Sequence, residues 1–200
     1  MSGAEPRPPF RPEYQARPLH DSARHASYGH AAAPQIPHNS VRPDEVHVTA
    51  LPLDAFARLT LALMRLQFQT FAAPETHGWL MALRRATTHV GPRAAGGLCY
   101  DLVALVQALR LSRASPFAFN PDGCTNCRVW LTPDERRMME LLDALRTGRT
   151  GRARAFAQML CDGATGDDLI AMAESYLRHN APAFTQPNDP APEKTQGDRQ

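Results

Sequence analysis

The chain has 200 residues, a formal net charge of +2 and a sequence pI near 8.5. That balance is too mild to imply nucleic acid by itself, and the N-terminus has no apolar core of the kind a signal peptide needs. The most apolar stretch, Leu53–Phe71, carries Asp54, Arg58 and Arg65, which would be costly at membrane depth. These features predict a cytoplasmic protein without a membrane segment, its four cysteines reduced. Basic charge is almost all arginine, with Lys194 the single lysine, and alanine is abundant, as in proteins from GC-rich bacterial genomes.

Residues 1–45 hold eight of the eighteen prolines among Arg, His, Ser and Ala. Such a segment buries too little apolar area to offset its ordering entropy and is expected to be a disordered tail. Its Arg7–Pro12 run offers a short P-x-x-P sequence, and His20, His25, His30 and His38 are too scattered for one metal site. The folded domain is expected over residues 46–180, with a second disordered tail over 181–200.

From Pro52 to Phe71 the pattern predicts a helix with two apolar stripes, Phe56/Leu59/Leu63/Leu66 and Leu61/Met64/Phe68/Phe71. A helix apolar on two sides sits either at the centre of the domain, the favoured reading, or between two copies in a homodimer. Pro74 and Glu75 open a second helix whose inner face is read as Trp79, Leu80, Leu83, Thr87 and Val90. Gly91-Pro92 ends it. Gly96 and Gly97 delay a third helix to about Leu98–Leu111, with Leu98, Leu102, Leu105 and Leu109 inward. Phe117 and Phe119 in the following loop read as anchors.

The clearest stretch is Asp122–Leu145. A Cys-x-x-Cys pair, Cys124 and Cys127, follows the turn Asn120-Pro121-Asp122-Gly123 and leads into a well-marked helix start. Thr132 is placed to cap it, with Glu135 reaching back in a capping box and Pro133 at the first helical position. Met138, Leu141, Leu142 and Leu145 form its stripe and Gly148 its stop. Two shorter helices follow, Arg152–Asp162 and one capped by Thr165 with Leu169, Met172, Ala173 and Tyr176 inside. The fold class is therefore all-α: a single compact bundle of about six helices between two tails, with no segment alternating strongly enough for a strand.

Three chemistries are open to this pattern. Two thiolates two residues apart supply half of a tetrahedral zinc site, and Cys99, Cys161 or a histidine such as His77 or His89 would have to complete it. Cys99 lies 25 residues before Cys124 and Cys161 lies 34 after Cys127, so each also reads as a small core residue. A thiol redox role is weakened because the cap, Thr132, lies five residues beyond Cys127, too far for the helix dipole to activate the pair fully. DNA binding by the last two helices is disfavoured, because Asp167 and Asp168 would face phosphate oxygens.

The run Arg146, Arg149, Arg152 and Arg154, together with Arg128 beside the thiol pair, forms a candidate surface for an anion or an acidic partner. No nucleophile elbow, phosphate loop, dinucleotide fingerprint or His-Glu-x-x-His occurs. No catalytic residue is assigned, and an enzyme is the less favoured class. The expectation is a regulatory or adaptor protein acting through protein contacts, with the thiol turn and the arginine loop flanking the same helix as its working surface. A DNA-binding regulator and a thiol redox protein are the alternatives.

Overall fold

The computed structural model describes residues 42–184 of the chain. The expected tails, with the P-x-x-P sequence and the four N-terminal histidines, lie almost wholly outside the described residues. The described part is an all-α bundle: α1 (Ala55–Ala72), α2 (Gly78–Leu111), α3 (Pro133–Arg146), α4 (Thr150–Leu160) and α5 (Asp167–Asn180). α1 packs on α2, α2 on α5 and α3 on α4, so the elements close one continuous core around Leu63, Met64, Leu102, Leu105, Leu141 and Leu169.

Asp54 opens α1, its carboxylate accepting the Ala57 N–H at 2.8 Å, so the helix begins three residues later than the sequence pattern suggested. Both apolar stripes of α1 are buried within the single chain, apart from the half-exposed end at Phe71, which makes it the central helix and requires no second copy to cover it. Tyr176 of α5 reaches α1 through its hydroxyl, 2.8 Å from Thr60 Oγ1 in the interior, and stacks on Phe56.

α2 departs most from expectation. Gly91, at φ 78° and ψ 163°, breaks it into a first arm over residues 78–90 and a second over 92–111. Pro92 starts the second arm, so Gly96 and Gly97 lie inside the helix and do not delay it. The second arm turns Leu98, Leu102, Leu105 and Leu109 inward, as its periodicity indicates. The first arm is rotated relative to the expected orientation: Gly78, Ala82 and Ala86 are buried, while Trp79, Leu80 and Leu83 face solvent. The cause is close approach to α1. A Cβ at position 78 would stand 2.4 Å from the Leu66 carbonyl oxygen, so only small residues fit that side.

At the C-terminal end, α4 begins at Thr150 and ends at Leu160, a register two residues earlier than expected. Gly166, not Thr165, is the N-cap of α5, in a left-handed conformation that L side chains rarely adopt. A Cβ there would lie 2.9 Å from that of Ala157, so the α4–α5 approach selects glycine at this point. One feature had no sequence signal: Val46–His47 (β1) pairs antiparallel with Trp130–Leu131 (β2), the Val48 N–H donating to the Val129 carbonyl at 2.8 Å. Two residues per strand are too few to show alternation.

Candidate functional site: the thiol turn and its arginine cleft

The segment between α2 and α3 carries little regular structure and depends on side chains for its shape. Phe117 stacks on Phe68 of α1 at 4.3 Å between ring centroids and Phe119 at 5.6 Å, the anchoring role their position suggested. The capping box of α3 is complete: Thr132 Oγ1 accepts the Glu135 N–H at 3.1 Å, and Glu135 accepts the Thr132 N–H at 3.0 Å. Thr132 also donates its hydroxyl to the Ala118 carbonyl, tying the cap to the loop at 2.7 Å.

Glu135 does more than cap. It is fully buried and receives Arg65 of α1 in a two-point ion pair, Nε at 2.7 Å and Nη2 at 2.9 Å. Arg65, only 2% exposed, also donates to the carbonyls of Arg128 and Trp130, at 2.7 and 2.6 Å. Asn120 adds its N–H to the same carboxylate at 3.1 Å and its side-chain amide to the Trp130 carbonyl at 3.0 Å. A buried charge pair repays its desolvation only when geometry is good and the leftover donors find partners, and here the pair is two-pointed and four of the five guanidinium N–H groups are engaged. The clamp fixes the C-terminal end of the thiol turn to the central helix.

Within the turn, the Cys124 N–H donates to the Pro121 carbonyl at 3.2 Å and the Arg128 N–H to the Cys124 carbonyl at 2.9 Å. The Cys127 N–H points at the Cys124 sulfur, 3.2 Å away. The two half-buried cysteines form a pair at disulfide distance with Cα atoms 5.2 Å apart, where the sequence reading had expected reduced thiols. The four residues Cys124–Cys127, bent into a turn, bring the two sulfurs close enough for this bond.

The cysteines at 99 and 161 do not join the pair. Cys161 is buried at the end of α4 and Cys99 is half-buried on α2, and burial pushes both thiols above their ordinary range. His89 turns its ring to the Arg85 carbonyl at 2.9 Å. Among the described residues no three His, Cys, Asp or Glu side chains gather to hold a metal. Among the described residues, Cys124 and Cys127 therefore gather no further ligand toward the four-ligand zinc centre considered from sequence.

Beside the thiol turn lies a cleft of about 420 Å³, walled by Leu66 and Gln69 of α1, by Met81, Arg84, Arg85 and Thr88 of the first arm, and by Asp122, Gly123 and Arg128 of the turn. Arg85 is paired with Asp122 at 2.6 Å, which links the first arm to the turn. Arg84 and Arg128 are exposed and have no acidic partner among the described residues.

The other arginine run is differently placed. Arg146 pairs with Asp54 at 2.7 Å, Arg149 with Asp143, and Arg152 lies over the Phe156 ring; Arg154 projects from α4. Most of that run is thus answered internally, and of the arginines singled out from sequence only Arg128 reaches the thiol site. Arg84, Arg85 and the Arg65–Glu135 clamp were not identified there. One signal pointed to the clamp: a helix buried on both sides that carries a mid-helix arginine must bury an acid with it.

Compared with models of known families, with curated proteins and with solved structures, the chain matches none.

Proposed function

We propose that this chain is a non-enzymatic regulatory or adaptor protein whose docking face is the outward stripe of the first arm of α2, and that it receives an acidic amphipathic segment of a protein partner. The observation that carries the reading is that stripe: Trp79 is 51% exposed and Leu80 and Leu83 36% each, on one side of a helix whose opposite side is glycine and alanine. Neighbouring large apolar side chains left in water mark a contact surface more often than an isolated one does. Charge selects the partner's chemistry. Arg84 is exposed at the border of the stripe and Arg93 just beyond the break at Gly91, while Glu75 is the acid nearest the arm's start, so an acidic helix laid into the stripe gains complementary charge at its rim.

With its preceding turn, α2 spans Pro74–Leu111 and is long and apolar enough by composition to cross a bilayer, at a hydropathy of 1.3. Its second arm, however, buries Leu102, Leu105 and Leu109 in the core, which supports a core helix with one exposed end. The α4–α5 pair gives less support to nucleic-acid contact, since Asp167 and Asp168 lie exposed at the start of α5.

The test places a photo-crosslinking residue at position 79 in living cells, with position 159 on α4 as an exposed control. A crosslinked protein specific to position 79, bearing an acidic amphipathic segment and lost on Leu83→Glu, is the expected result. Crosslinks to lipid, to nucleic acid or to a second copy of this chain would overturn the reading.

A further inference from the structure

The cleft beside the thiol turn is a different face of the first arm from the docking stripe, and its residues suit a different ligand. Met81, Arg84, Arg85 and Thr88 recur at helical spacing on that face, opposite Gly123 and Arg128. Arg85 already has Asp122, so the positive charge left for a ligand is that of Arg84 and Arg128, the two other arginines lining the same concave space. Planar guanidinium forks suit carboxylate and phosphate oxygens, and Leu66 and Met81 give the cleft an apolar wall for the rest of a small molecule. We infer that the cleft is a binding site for a small organic dianion, of the phosphate-ester or dicarboxylate type, and that its affinity is set by the oxidation state of the Cys124–Cys127 pair.

The link to the pair is covalent. Arg128 directly follows Cys127, and Gly123 directly precedes Cys124, so the Cys124–Cys127 bond fixes the wall residue on each side of it. Reduction requires a dithiol. One thiolate of the dithiol attacks one of the two sulfurs and breaks the Cys124–Cys127 bond, giving a mixed disulfide and an expelled protein thiolate that takes up a proton. The second dithiol sulfur then displaces the other cysteine, which also ends as a thiol. Two electrons and two protons pass to the protein, and the dithiol leaves as a disulfide.

Reduction leaves two neutral thiols and removes the crosslink, so Gly123 and Arg128 are no longer held at a fixed separation and the wall must be ordered again on binding. The oxidised form therefore binds the dianion more tightly. By linkage the dianion in turn holds the pair oxidised by the same factor.

This inference does not depend on the docking stripe and can be tested without a partner. Phenyl phosphate and succinate are titrated by calorimetry into the full chain, oxidised and then reduced with dithiothreitol, an uncharged reductant that does not itself occupy an arginine site. Thiol counts after denaturation verify the two states. Binding by the oxidised chain is expected to weaken about fivefold or more on reduction, within the usual range of site coupling. Loss on Arg84→Gln and on Arg128→Gln, with Arg154→Gln unchanged, is the accompanying result. Which of the two probes binds tells a phosphate ester from a dicarboxylate. A Cys124→Ser/Cys127→Ser chain, which has no crosslink, is expected to bind like the reduced chain and to be indifferent to dithiothreitol. Binding of neither dianion, affinity indifferent to Arg84 and Arg128, or equal affinity in the two oxidation states would overturn the proposal.

Discussion

The two arms of α2 are continuous in sequence and alike in composition, yet they are built in opposite ways. The second arm turns leucines inward and packs by volume, with Leu102, Leu105 and Leu109 at 0% exposure. The first turns glycine and alanine inward and packs by backbone proximity, leaving Trp79 and Leu83 outside. An apolar stripe at helical spacing therefore identifies a face that wants cover, and does not say whether the chain's own core or another molecule supplies it. Where two helices approach as closely as Gly78 does to Leu66, the smaller residues take the inner side and the larger ones are displaced to the surface.

That contrast can be broken by mutation. The largest effect is expected from Glu135→Ala, which leaves Arg65 buried without its acid and should cost about 3–5 kcal/mol. Hydrogen exchange should show protection lost in the thiol turn and first arm but retained in the second arm. Uniform loss over both arms would mean that they do not differ in what supports them. Leu105→Ala in the second arm should cost about 2–5 kcal/mol in chemical denaturation, as expected for a fully buried leucine that leaves a cavity.

Gly78→Ala probes the opposite packing. Its new Cβ meets backbone, which cannot swing aside, and about 1–3 kcal/mol of overpacking penalty is expected. A neutral result would show that the first arm can retreat from α1.

A smaller effect is expected where the second arm ends. Asp162 accepts the Ser115 hydroxyl, the Ser115 N–H at 2.9 Å and the Ala114 N–H at 2.8 Å, and these bonds hold its carboxyl below the ordinary value of 3.8. A carboxyl depressed in the folded state stabilises the fold above its ordinary value, and that contribution is lost as pH falls through the depressed one. The stability of Asp162→Asn should accordingly vary less with pH on the acid side of 3.8 than that of the parent chain. The smallest effect on folding belongs to Leu83→Ala, about 1 kcal/mol or less, because Leu83 is 36% exposed and its removal leaves no enclosed cavity. A large loss there would place the first arm's stripe in the core after all.

How far the sequence was legible follows the same division. The capping box at Thr132 and Glu135, the stripe of α3, the stop at Gly148 and the phenylalanine anchors were readable because each depends on neighbours within a turn or two of helix. The inner face of the first arm was not, because an alanine–glycine face and a tryptophan–leucine face are both periodic, and only the distance to α1 chooses between them. The Gly166 cap was misassigned to Thr165 for a related reason: the local capping rule is correct, but the approach of Ala157 overrode it.

At the candidate site the local part was again the legible part. The turn, the thiol pair and Arg128 adjoin one another in sequence. Arg84 and Arg85 come from another helix, and Arg65 meets Glu135 across 70 residues of chain.

The sequence by itself determined that this protein is helical, where α3 begins and ends, and that two sulfurs stand ahead of it, since these rest on hydrogen bonds and periodicities spanning a few residues. Only the tertiary structure decided which stripe of α2 meets water, which arginine is buried with an acid, and which guanidinium groups share a cleft. Those outcomes depend on distances between segments remote along the chain, where backbone proximity and charge burial outweigh local preference.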